Sequence, residues 1–226
     1  MIYGRGLRVL ALATVATITL ALALVFFYAP LDADQGFIQK IFYIHVPLAI
    51  VSLCGFVLGG LLAIGHLRTG DRRWDMRSYV AIHMSLIFSV GALITGSIWA
   101  KASWGVWWSW SENQLVLFLV LFLFYCAYFM LRFSVDPGPA RANMSAVYAL
   151  FGVVLIPVSF LAIRLSQKFI HPVVFNSHGP QMTGSQFFVF CVSLAGVLAL
   201  FATLYQVELA GKRLDAHVRE LRELLT

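Results

Sequence analysis

Charge is what this sequence has least of. Only 12% of its 226 residues are Asp, Glu, Lys or Arg, about half the share found in an ordinary globular domain. Polar stretches long enough to fold alone are missing, so the length argues for one domain over residues 1–226. Cysteine is scarce too. Cys54, Cys126 and Cys191 lie far apart within apolar runs and form no C-x-x-C pair, which excludes a disulfide framework and a zinc site. Without C-x-x-C-H, the chain does not itself carry covalent c-type haem. There is no phosphate-binding glycine motif, no G-x-S-x-G elbow, no H-E-x-x-H and no pair of membrane carboxylates of the kind used in proton-coupled transport. Acid–base catalysis would have little to work with.

What is abundant is apolar surface, with 61% of the residues hydrophobic. A membrane-spanning helix needs about 20 mainly apolar residues, and six stretches qualify: 7–29, 41–67, 78–100, 114–133, 144–165 and 185–207. Lipid offers no partners to stray backbone groups, so each must be a helix. The expected fold is an all-α integral membrane protein with six transmembrane helices. The first run is followed by no small-residue cleavage signature and reads as a retained helix.

Orientation follows from the basic residues. Twelve of the 16 Lys and Arg fall in the N-terminus, the second and fourth connections and the tail, against Lys40, Lys101, Arg164 and Lys168 elsewhere. The positive-inside rule then puts both termini in the cytoplasm. That rule also accounts for the net charge of +6, so nucleic acid is not implied. In the tail, Glu208 to Thr226, the residues Leu214, Val218, Leu221 and Leu225 share one face, as in a surface amphipathic helix.

Three segments lie outside in this topology: 30–40, the stretch from Trp99 to Gln114, and 166–184. The middle one holds Trp99, Trp104, Trp107, Trp108 and Trp110, five of the six tryptophans within twelve residues. One explanation is an aromatic belt at the headgroup level. The density favours another, an aromatic platform for a planar apolar ligand, because large apolar surfaces without a partner are uncommon. Trp104, Trp107 and Trp108 stand at i, i+3 and i+4 and would share one face of a helix. Gly105 would let a flat ligand come close to the backbone.

A planar ligand with a metal needs axial donors, and histidine is a common ligand of haem iron. His45 lies one turn inside the outer end of the second helix, which Pro47 should kink. An ionisable residue at that depth is a functional candidate, the alternative being a histidine satisfied by a neighbouring helix. His171 and His178 share the third outer segment, and spacing does not choose between them. His66 and His217 read as solvated flank residues, and His83 as hydrogen-bonded within the bundle. Haem propionates would need cations, for which Lys101, Arg164, Lys168 and Lys40 are available. Lys40 reads as an interface anchor that snorkels to the headgroups. Glu112 is the sole carboxylate near the tryptophans.

These residues resemble the haem exporter protein C (CcmC) family of cytochrome c maturation, within the wider group of tryptophan-rich haem-handling membrane proteins. The match runs through Tyr43-Ile-His45-Val-Pro47, Ala92-Leu-Ile-Thr95-Gly96-Ser97-Ile-Trp99-Ala-Lys101 and Trp104-Gly105-Val-Trp107-Trp108-Ser-Trp110, then Pro157 and His171-Pro172. The resemblance implies haem b held on the outer face of a bacterial or archaeal cytoplasmic membrane. The tryptophans would be its platform, and His45 and His171 its axial ligands, with His178 as runner-up. Implied partners are a periplasmic haem chaperone (CcmE-like), ABC-type subunits (CcmA/CcmB-like) and a small membrane subunit (CcmD-like). After Trp110 the family usually reads Asp-x-Arg-Leu-Thr, whereas this chain has Ser111-Glu112-Asn113-Gln114-Leu115. The expected function is to bind haem at His45, His171, Trp99, Trp104, Gly105, Trp107, Trp108, Trp110, Lys101 and Lys168 and pass it on, as a carrier and not an enzyme. The alternative is a b-type cytochrome that keeps its haem and would rely on His66 and His83; a channel with an ordinary aromatic belt would hold no haem.

Overall fold

In lipid every backbone N–H and C=O needs an internal partner, and the six apolar runs meet that need as helices. The computed structural model describes residues 4–165, 175–176 and 179–225. Its helices are α1 (Arg5–Phe27), α2 (Phe42–Thr69), α3 (Arg72–Trp104), α4 (Asn113–Ser134), α5 (Pro139–Leu165) and α6 (Gly184–Leu225). A 3-10 turn, Phe37–Ile41, leads into α2. All six helices contain a run long and apolar enough to cross a membrane, as the sequence predicts. Among the described residues a short antiparallel pairing of β1 (Phe175–Asn176) with β2 (Gly179–Pro180) lies between α5 and α6, and an isolated bridge joins Asp32 and Gly36.

Local chemistry sets the helix ends. Gly70, in the left-handed region at φ +68°, closes α2 by donating its N–H to the His66 carbonyl at 2.8 Å. Asp71 then caps α3, its carboxylate accepting the Arg73 N–H at 2.8 Å. Pro139 opens α5 at the first helical position, where its missing N–H costs nothing. Helix α2 runs on through Pro47. Helix α3 continues past the expected end at residue 100 and takes Lys101 and Trp104 into its last turn.

The tail corrects the expectation of a separate surface helix. Helix α6 is a single rod of 42 residues, roughly 63 Å at 1.5 Å per residue, about twice the hydrocarbon thickness. Gly211, at the start of the tail, disfavours a helix by only about 1 kcal/mol, too little to break it. Leu214, Val218, Leu221 and Leu225 do stand exposed, but on this continuation.

The helices meet through small residues and rings. Phe56 of α2 stacks on Tyr125 of α4 at 3.7 Å between centroids, and the space that a side chain on Gly60 would need is filled by Val153 of α5. Thr14 and Thr203 share a 2.8 Å hydrogen bond between α1 and α6. At the end of the bundle that carries both termini, polar side chains tie the helices. Arg132 holds Asp75 through two 2.8 Å bonds and lies over the Tyr79 ring. His83 pairs with the Glu208 carboxylate at 2.9 Å, hydrogen-bonded in the bundle as expected.

His66 and Lys40 also depart from what the sequence predicts. His66 is buried, not solvated, and its ring nitrogens meet the Asp71 carbonyl at 3.2 Å and the Asn143 side-chain amide at 3.1 Å. Lys40 does not snorkel. It is 6% exposed and donates to the carbonyls of Val25, Phe26 and Ala29 at 2.6, 3.3 and 3.3 Å. The carbonyls of Val25 and Phe26 are ones that the end of α1 leaves without helical partners and that of Ala29 lies just beyond it, so the lysine acts as a clamp between α1 and the turn before α2.

Candidate functional site

The site is built at the opposite end, where α3 stops. Gly105 takes φ +77° and donates its N–H to the Lys101 carbonyl at 3.1 Å. Only glycine adopts that conformation without strain. Lys101 in turn donates from Nζ to the Gly105 carbonyl at 2.8 Å, so its ammonium closes the helix end. This break separates the tryptophans. Trp99 and Trp104 belong to α3, whereas Trp107, Trp108 and Trp110 sit in the loop after it. The shared helical face expected for Trp104, Trp107 and Trp108 is therefore not formed.

The loop sorts the indoles a second way. Trp107 and Trp110 are 60% and 73% exposed, while Trp108 turns inward with its ring 5.9 Å from Trp110, edge to face. Trp108, Trp104 and Trp99 line a cavity of about 120 Å³ together with His45, Gly96 and Gln35. Its deeper wall is apolar, made by Ala49 of α2, Ala92 and Leu93 of α3 and Phe118 of α4. Ligand pockets for drug-sized molecules run to about 300–1,000 Å³, so this cleft takes one edge of a larger planar group.

His45 is held in a fixed orientation. Its Nδ1 lies 3.0 Å from the Ala92 carbonyl and 3.2 Å from the Thr95 hydroxyl. A carbonyl can only accept, so the first contact calls for the proton on Nδ1 and leaves Nε2 as the basic nitrogen. The ring lies directly over Gly96, where an added Cβ would come within 2.7 Å of Cε1. Trp99 meets it edge to face at 5.8 Å. Trp99 is itself 8% exposed and packs among Phe42, Tyr43, Val189 and Phe190, so it is both core and cavity wall. Trp108 carries a buried indole N–H with no hydrogen-bond partner among the described residues.

Of the residues singled out in the sequence, the structure brings together His45, Trp99, Trp104 and Trp108. Gly105 shapes the loop beside them, and Lys101, Trp107 and Trp110 stand outside the cavity lining. His171, His178 and Lys168 lie outside the described residues, as does the side chain of Arg164. Glu112 is buried at the start of α4. Sequence reasoning missed Gln35, whose side-chain oxygen accepts from Trp99 Nε1 at 2.7 Å. That contact spans 64 positions of chain and leaves no local signal. It gave no role to Gly96 either, although a glycine one turn before a tryptophan on an apolar helix is the available hint.

A family model described as Heme exporter protein C matches residues 1–223. Proteins of that name from Rhodobacter capsulatus and Paracoccus denitrificans are 31% and 29% identical, over 69% and 84% of this chain. A ccmC-like mitochondrial protein of cytochrome c biosynthesis from Marchantia polymorpha is 30% identical over 62% of it. The matched region spans 64% of the Rhodobacter protein, 81% of the Paracoccus protein and 58% of the Marchantia protein. With six spanning helices and a family match over nearly its whole length, the chain belongs to the haem exporter protein C family.

Proposed function

We propose that this chain binds haem at the tryptophan-bearing end of its bundle and passes it to a haem chaperone for cytochrome c maturation. The observation that carries the reading is His45, locked over Gly96 and against Trp99 at the wall of the tryptophan-lined cavity. The donor set suits haem. A histidine with one ring nitrogen fixed by a carbonyl offers the other to a metal in a defined direction, and the indoles and apolar floor suit the faces of a porphyrin. The orphaned Trp108 N–H is a donor for an acceptor on the cargo.

His45 supplies one axial nitrogen, and the segment 166–178 supplies the second from His171, with His178 as the runner-up. Trp99, Trp104 and Trp108 exclude water from one edge of the haem, and Trp107 and Trp110 extend the platform towards solvent. Lys168 is the candidate partner for a propionate in this reading. Lys101 serves first to close α3 at Gly105. No bond within the haem is made or broken in this scheme. The protein trades axial ligands and then releases, so it works as a carrier and not an enzyme, with haem b as cargo.

The distribution of Lys and Arg supports both termini in the cytoplasm and the site on the outer face of the cytoplasmic membrane. Residues 1–226 then form one haem-handling domain. CcmE-like, CcmA/CcmB-like and CcmD-like proteins are the partners this role requires. A permanent b-type cytochrome is less well supported, because both ring nitrogens of His66 have partners and His83 is paired with Glu208. The test is to load the purified protein with haem and mix it with an apo haem chaperone. Movement of the Soret absorbance to the chaperone fraction is expected. Haem that stays in place and cycles reversibly between redox states would overturn the carrier reading in favour of the cytochrome.

A further inference from the structure

We propose that Gln35 is the positioning residue of the site, its side-chain oxygen holding the Trp99 indole in the orientation that faces His45. The inference rests on the haem-binding reading above and adds to it a residue from the connection between α1 and α2. An indole N–H can only donate, so the 2.7 Å contact fixes which end of the Gln35 amide meets Trp99. The same oxygen lies 3.4 Å from the Ser103 hydroxyl, one turn further along α3. One acceptor thus spans the last two turns of the helix that presents the platform.

The backbone beneath Gln35 is anchored on both sides. The Asp32 carboxylate accepts the N–H groups of Asp34 and Gln35 at 3.0 and 2.9 Å, and the Asp32 carbonyl accepts the N–H of Gly36 at 3.0 Å. Gly36 turns the chain at φ +57°, and Lys40 then clamps the next turn to the end of α1. A glutamine on a loose loop would hold nothing; this one is held at its base. Because Trp99 is buried, losing the Gln35 acceptor removes the hydrogen bond that fixes its indole and lets the ring turn. Rotation of Trp99 moves the edge that packs on His45.

The experiment compares Gln35→Leu and Gln35→Met, which remove the acceptor, with Gln35→Glu, which keeps it, in the full-length protein. Ultraviolet resonance Raman of the haem-free protein reads indole hydrogen bonding directly, with Trp99→Phe identifying the band. The expected result is loss of the Trp99 hydrogen-bond signature in the Leu and Met variants and its retention in the Glu variant. Haem affinity should fall about five- to tenfold in the first two, the worth of one hydrogen bond, and stay within about twofold in the third. An unchanged Raman band in the Leu and Met variants, or a Glu variant as weak as they are, would overturn the proposal. The Raman readout needs no haem, so a failure of the haem-binding reading shows separately as wild-type protein that takes up no haem.

Discussion

At the scale of single residues, the site depends on how little room surrounds His45. Its ring rests on Gly96, held by the Ala92 carbonyl on one side and the Trp99 edge on the other. Gly96→Ala would put a methyl group 2.7 Å from Cε1 and must displace the ring. Overpacking of this kind costs about 1–3 kcal/mol, so haem affinity should fall about tenfold or more in a haem titration, with helicity by circular dichroism unchanged. Much at this scale was legible in the sequence. His45 stood out as an ionisable group in an apolar run, and the tryptophans by density alone. What could not be read were partners made across the fold: Gln35 to Trp99, Lys40 to the end of α1, and His66 to Asn143. Each joins residues far apart in the chain, and a residue type does not say which distant carbonyl it will find.

Elements are positioned by a few buried polar ties. Apolar contact gives helices in lipid no strong preference for one partner over another, so hydrogen bonds and close fits decide. Lys40 satisfies three carbonyls at the end of α1. Lys40→Met should lower stability by about 1–3 kcal/mol, visible as a lower midpoint in thermal unfolding followed by cysteine accessibility. Arg132, which is buried, and Asp75, which is partly exposed, form a bidentate pair between α4 and α3. Removing Asp75, which leaves the buried Arg132 charge uncompensated, should cost up to about 3 kcal/mol, and replacing both together less than the sum of the two single losses, which a double-mutant cycle in the same assay measures. Hydropathy located all six helices, but the ends of α3 and α6 were set by other things. Gly105 set the end of α3 at Trp104, and charges at helical spacing carried α6 to Leu225.

For the whole molecule, the two ends of the bundle have separate work. The end carrying the termini is tied by Arg132–Asp75 and His83–Glu208, and the other end carries the cavity. The last turns of α6 belong to the first end, beyond the His83–Glu208 tie. Truncation after Arg213 should therefore leave the haem spectrum unchanged. The central claim is that the cavity of His45, Trp99, Trp104 and Trp108 holds haem through His45. The most direct measurement is the absorption spectrum of protein purified from haem-replete cells, taken for the wild type and for His45→Ala. A Soret band in the wild type that is shifted or lost in the variant is the predicted result. A wild type with no Soret band, or a His45→Ala spectrum identical to it, would contradict the account.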